Sequence, residues 1–159
     1  MNKLYFFTAT ILNWIKVLDD DKLKDIIIDS LRFLIKEKRI RLFVYVIMPN
    51  HIHLIWQIRE PHILPVVQRD FLKFTSQQII KILRNENPAM LEQLKVNAAD
   101  RKYQVWERNP LSVELVSDKV IEQKRDYIHL NPVRGKWKLC NKYYEYRYSS
   151  AGYYYDGTD

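Results

Sequence analysis

Residues 41–58 read RLFVYVIMPNHIHLIWQI, two apolar runs set back to back around Pro49-Asn50. The runs are β-branched and aromatic, and the dipeptide between them turns a chain, so they predict an antiparallel hairpin with strands over 41–48 and 51–58. Such a pair buries little by itself and needs neighbours. The flanking segments supply them. Residues 4–12 (LYFFTATIL) predict a first strand. Asp19, Asp20 and Asp21 offer caps for a helix over about 20–38, whose Leu23, Ile26, Ile27, Leu31, Leu34 and Ile35 recur at helical spacing. A second helix is predicted over about 64–85, with Val67, Phe71, Phe74, Ile79 and Ile82 inward and Lys73, Lys81 and Arg84 outward.

Residues 88–100 read as a short helix or loop, and 103–106 and 112–116 as short strands around Asn109-Pro110. A last helix, capped by Ser117 or Asp118, runs to about Leu130. Pro132 stops it, because the residue before a proline is disfavoured in helical geometry. Strand, helix, strand, strand, helix, strand is the order of a ferredoxin-like (RRM-like) α+β fold: an antiparallel sheet with helices on one face, here with an added C-terminal helix. No linker or repeat interrupts residues 1–159, which read as a single domain.

Three glycines in 159 residues leave no Gly-rich phosphate loop. Cys140 is the only cysteine, which excludes an internal disulfide and a Cys-rich zinc site and suits a reducing cytoplasm. No apolar stretch is long enough to span a membrane, and the N-terminal run lacks a small-residue cleavage site. Twenty-six Lys and Arg against 19 Asp and Glu give a net charge of +7, an excess that suits a polyanion, though a merely basic protein would show it too.

Two groups of residues carry possible chemistry. His51 and His53 lie two apart on a predicted strand, so their imidazoles share a face about 6–7 Å apart while Ile52 points into the core. Two such rings can bind one metal ion, or stand as ordinary polar positions. Tyr127 and Asn131, within DYIHLNPVRGKW, lie four apart on the last helix and share a face. A phenol is a poor nucleophile unless a nearby cation or base favours its oxyanion. A metal would do so, with the Asn131 carbonyl as a hard third ligand; otherwise Tyr127 is a core residue with its hydroxyl at the rim. His129 points elsewhere on the helix and is either structural or DNA-facing. The last 25 residues hold seven of the eleven tyrosines, which can stack on unpaired bases or cap the sheet; Tyr146 and Tyr148 favour packing.

PNHIHLIW resembles the HUH motif (His, bulky apolar, His) of single-tyrosine HUH transposases. YIHLNPVRGKW resembles the tyrosine helix of their REP-associated branch, within the IS200-like superfamily. FLKFTSQQI, VWERNPLSVEL and YEYRYSSAGYYYDG extend the resemblance over most of the chain in order. Where that family often has Ala-Gly after the Val-Arg, this chain has Gly135-Lys136-Trp137, which alters the exit from the helix.

The resemblance implies a divalent ion, Mg²⁺ or Mn²⁺, on His51, His53 and Asn131, and attack by Tyr127 on single-stranded or hairpin DNA to leave a 5′-phosphotyrosine and a free 3′-hydroxyl. Lys73, Lys81, Arg84, Arg134 and Lys136 are the DNA-binding candidates. Some relatives are dimers, while the REP-associated branch is more compatible with a monomer. A non-catalytic nucleic-acid-binding relic and a water-using metal hydrolase are the alternatives.

Overall fold

The computed structural model describes residues 3–157. Its centre is a four-stranded antiparallel sheet of β1 (Leu4–Thr10), β2 (Ile40–Met48), β3 (His51–Ile58) and β4 (Leu111–Leu115), in the order β2-β3-β1-β4. That is the ferredoxin-like order the sequence predicts. β2 and β3 form the hairpin around Pro49-Asn50, with Met48 opposite His51 and Val46 opposite His53. β1 lies on the other side of β3, with Thr8 opposite His53 and Thr10 opposite His51.

Alternation along β3 divides the molecule. Ile52, Leu54 and Trp56 point into a core shared with α1 (Asp21–Lys36) and α2 (Leu64–Glu86), which cover one face of the sheet. Ile55 joins Phe6, Val44, Val46 and Met48 on the opposite face, where Ile128 of α4 (Asp118–Leu130) seals a second, smaller core. His51 and His53 stand on this second face. Asp20 caps α1 through the Lys22 amide, and Ser117 caps α4 through Val120.

The buried stripe of α2 is Val67, Phe71, Thr75, Ile79 and Leu83. Phe74, expected inward, is 50% exposed, and Ile82 is only half-buried. A spacing of four sets the stripe, and Thr75 is admitted to it because its hydroxyl is satisfied: it donates to Phe71 O and accepts from Trp106 Nε1. The short helix α3 (Pro88–Gln93) follows. Residues 103–106, expected as a strand, make only isolated bridges, Tyr103 with Lys95 and Trp106 with Ile11.

α4 ends at Leu130, as the sequence predicts. Asn131 keeps helical geometry (φ −53°, ψ −46°) although Pro132 follows. The chain tightens into one 3-10 turn over Asn131–Val133, whose first turn does not need the N–H that proline lacks. Asn131 therefore stays in phase with Tyr127.

The tyrosine-rich tail closes the outer edge of the sheet. Ile47 N donates to Tyr148 O and Ser150 N to Tyr45 O, so residues 148–150 occupy the free side of β2 before α5 (Ala151–Asp156). Tyr148 is buried and donates to Asp25, and Tyr146 donates to Ile47 O. Both pack, as expected; Tyr153, Tyr154 and Tyr155 stay exposed. Among the described residues no helix is long and apolar enough to cross a membrane.

Candidate active site

Antiparallel register sets the first part of the site. His51 and His53 project side by side from β3, with ring centres 4.8 Å apart. Each ring is held at Nδ1. The hydroxyl of Thr8, opposite His53 on β1, makes a 2.7 Å hydrogen bond with His53 Nδ1. Asn50, in the turn before β3, places Oδ1 2.7 Å from His51 Nδ1, while its Nδ2 donates to the Trp14 carbonyl at 3.2 Å. That carbonyl can only accept, so the Asn50 amide is oriented with its oxygen toward His51. His51 Nδ1 must then carry the proton, and Nε2 presents its lone pair.

Burial pushes the His51 imidazole down to about 4, opposed by a side-chain hydrogen bond with Asn131. Burial, then the positive fields of His51 and Lys124, push His53 down to about 3. Both rings are therefore neutral at neutral pH, the form that ligates metals.

α4 supplies the other half. Tyr127 sets its ring 5.3 Å from that of His53 and edge-on to Phe6, and remains 40% exposed, so a large substrate can reach the phenol. Two cations flank it: Arg134 Cζ lies 4.8 Å and Lys124 Nζ 5.8 Å from the ring centre. Gly135, at φ +59°, turns the chain in left-handed geometry open to glycine, and Trp137 returns to lie 6.0 Å from His51. The result is a cavity of about 640 Å³ that His51, His53, Tyr127 and Asn131 share with Thr8, Thr10, Trp14, Lys124, Arg134, Lys136 and Trp137.

One cavity thus gathers His51, His53, Tyr127, Asn131, Arg134 and Lys136. Lys73, Lys81 and Arg84 lie elsewhere. They sit on α2, across the sheet, with Lys73 in a separate cleft against residues 100–110. His129 is buried, hydrogen-bonded to Ser150 Oγ and packed on Tyr154, and so supports the tail. Cys140 is half-buried with its thiol pushed up by burial, which suits an inert residue.

Sequence reasoning missed Thr8, Asn50, Lys124, Trp14 and Trp137. Lys124 had a signal, since it lies one helical turn before Tyr127; the others depend on register and on loop paths. Among the described residues no three His, Cys, Asp or Glu side chains come together. His51 and His53 could hold a metal there with the Asn131 amide, which shares their cavity, as a further ligand, and neutral imidazoles beside an amide oxygen fit a divalent cation.

No protein-family model matches the chain, and no curated protein does. Solved structures similar to it include the following two. One is a REP-associated tyrosine transposase bound to a REP hairpin: 20% identity, TM-score 0.63, spanning 93% of this chain and 76% of that one. The other is a candidate transposase from Deinococcus radiodurans: 18% identity, TM-score 0.54, spanning 80% of this chain and 89% of that one. The motif resemblance and the three-dimensional likeness point the same way, and the chain has the fold of a REP-associated tyrosine transposase.

Proposed function

We propose that residues 1–159 act as one domain that cleaves and rejoins single-stranded DNA through Tyr127, with His51, His53 and Asn131 as the ligands of Mg²⁺ or Mn²⁺. The observation that carries this reading is convergence: a half-exposed phenol from α4 meets two neutral, oriented imidazoles from β3 in one basic cavity.

The Tyr127 oxygen bonds to phosphorus as the bond from phosphorus to the 3′-oxygen breaks. The phenol proton passes to water, and the departing oxygen takes up a proton to become a 3′-hydroxyl. The strand downstream stays as a 5′-phosphotyrosine, and another 3′-hydroxyl reverses the step to rejoin DNA. Bond energy is conserved in the ester, so no nucleotide cofactor is needed. A bound divalent cation would supply Lewis-acid polarisation of the phosphate. Arg134 and Lys124, over the phenol ring, favour its oxyanion and the phosphate together. One chain supplies all four central groups, which supports a monomer acting in cis. A protein that only binds DNA has no use for the oriented imidazole pair beside a phenol.

The test uses a library of 3′-labelled single-stranded DNAs carrying hairpins, incubated with Mn²⁺. The expected result is a labelled protein–DNA adduct that survives a denaturing gel, disappears with chelator and is absent in Tyr127→Phe. Equal adduct in Tyr127→Phe removes Tyr127 as the nucleophile; cleavage without any adduct assigns the chemistry to water.

A further inference from the structure

Trp14 is 62% exposed, a costly position for the largest side chain, and it lines the candidate site. Its backbone is as unusual as its exposure. Asn13 and Trp14 both have positive φ, 54° and 58°, a region that asparagine tolerates and bulky residues seldom enter. The turn is pinned from several sides: Asn13 N donates to Glu107 Oε2, Trp14 N to Ile11 O, and Asn50 Nδ2 to Trp14 O. The backbone that carries the indole is thus pinned, and its ring lies 6.4 Å from that of His51.

Trp14 and Trp137 both lie against His51, whereas Tyr127 lies against His53. The two ends of the imidazole pair therefore differ: a phenol at one, two indoles at the other. Trp137 is half-buried in the second core with Lys16 over its ring, so it is a wall, and Trp14 is the free face.

We propose that Trp14 is a stacking platform for an unpaired nucleobase at the His51 end of the site. An aromatic face beside phosphate-binding cations is how proteins grip single strands without reading sequence. The inference rests on the Tyr127 reading for its polarity. In-line displacement sends the departing oxygen away from the phenol, toward the indoles, so the base seated on Trp14 is the last one of the strand that leaves with the 3′-hydroxyl.

The test is fluorescence anisotropy of a 5′-fluorescein oligothymidylate tetramer, which mimics that departing strand, binding to the full chain. Trp14→Ala keeps the carbonyl that orients Asn50, and is expected to weaken binding about 5- to 100-fold, with Trp14→Phe retaining most of the affinity. The slope of log affinity against log salt stays the same in all three proteins, because an indole neutralises no phosphate. A tetramer with an abasic 3′-terminal residue binds wild type as weakly as the normal tetramer binds Trp14→Ala, and Trp14→Ala does not distinguish the two. Equal binding by wild type and Trp14→Ala overturns the proposal. So does a Trp14→Ala defect that is undiminished on the abasic tetramer, or one accompanied by lost Mn²⁺ binding, since either makes the indole structural. Failure of the Tyr127 reading shows separately, as adduct formation in Tyr127→Phe with tetramer binding still dependent on Trp14.

Discussion

The Asn50 amide nitrogen donates to the Trp14 carbonyl, and this bond between the β2–β3 turn and a distant loop decides which nitrogen His51 offers to the cavity. Removing it frees the ring to rotate and to change tautomer. Asn50→Ala should therefore weaken Mn²⁺ binding about 10- to 100-fold, the usual cost of losing a group that orients a metal-bound histidine. Calorimetric titration with Mn²⁺ measures it. Unchanged affinity with intact folding by circular dichroism would mean that the Asn50 bond does not serve the metal.

Lys124 Nζ lies 4.7 Å from the Phe6 ring centre and 5.8 Å from that of Tyr127, close enough to bias the phenol without touching its oxygen. Its charge also opposes a cation at His53. Lys124→Gln should thus slow adduct formation at neutral pH by about 10-fold or more while leaving Mn²⁺ affinity equal or higher. A fall in Mn²⁺ affinity that accounts for the whole rate loss would contradict the role given to this lysine.

The sheet was legible because its strands alternate and its turns carry Pro and Asn; β3 begins and ends where its pattern does, at His51 and Ile58. The pairing of the two histidines followed from the two-residue period of a strand. The partners that orient them did not. Thr8 meets His53 only through the β1–β3 register, and Asn50 reaches Trp14 only through a loop with left-handed backbone, neither of which leaves a local pattern. Phe74 misled because hydrophobicity alone cannot tell a ring on the stripe from one beside it, whereas Thr75 earns its buried place by hydrogen bonds. Pro132 did mark the end of α4 at Leu130, but the rule against helical residues before proline is a tendency, and a 3-10 turn lets Asn131 keep helical geometry.

Acid should loosen the fold through its histidines. His51, His53 and His129 are all held below the ordinary imidazole value of 6.5, to about 4, 3 and 4, first by burial. The unfolded chain binds protons that the folded chain refuses, so the stabilisation is fully present above about pH 6.5 and is lost as the pH falls toward 4. His129 is the clean probe, since it lies outside the site cavity. Urea denaturation from pH 7 to pH 5 should show stability falling in wild type and falling less steeply in His129→Gln, the difference reaching about 1–2 kcal/mol at pH 5. Parallel curves would mean that His129 is protonated in the native state.

The cations fall into two groups that single-stranded DNA should distinguish. Arg134 and Lys136 line the cavity with Tyr127, while Lys81 and Arg84 stand on α2, on the far side of the sheet. A strand of four nucleotides seated on the imidazole pair cannot also reach α2, because the sheet and the larger core that packs it against α2 lie between. Each single-strand phosphate neutralised by a side chain contributes about 0.7 to the salt slope. With the oligothymidylate tetramer, Arg134→Ala and Lys136→Ala should each lower that slope by about 0.7, and Lys81→Ala and Arg84→Ala should leave it unchanged. Any role for the α2 cations then lies with the duplex part of a hairpin, and would appear as a slope change only when a stem is added. If Lys81→Ala and Arg84→Ala reduce the slope for the bare tetramer as much as the cavity pair does, the strand lies on the helical face and the cavity is not where DNA binds.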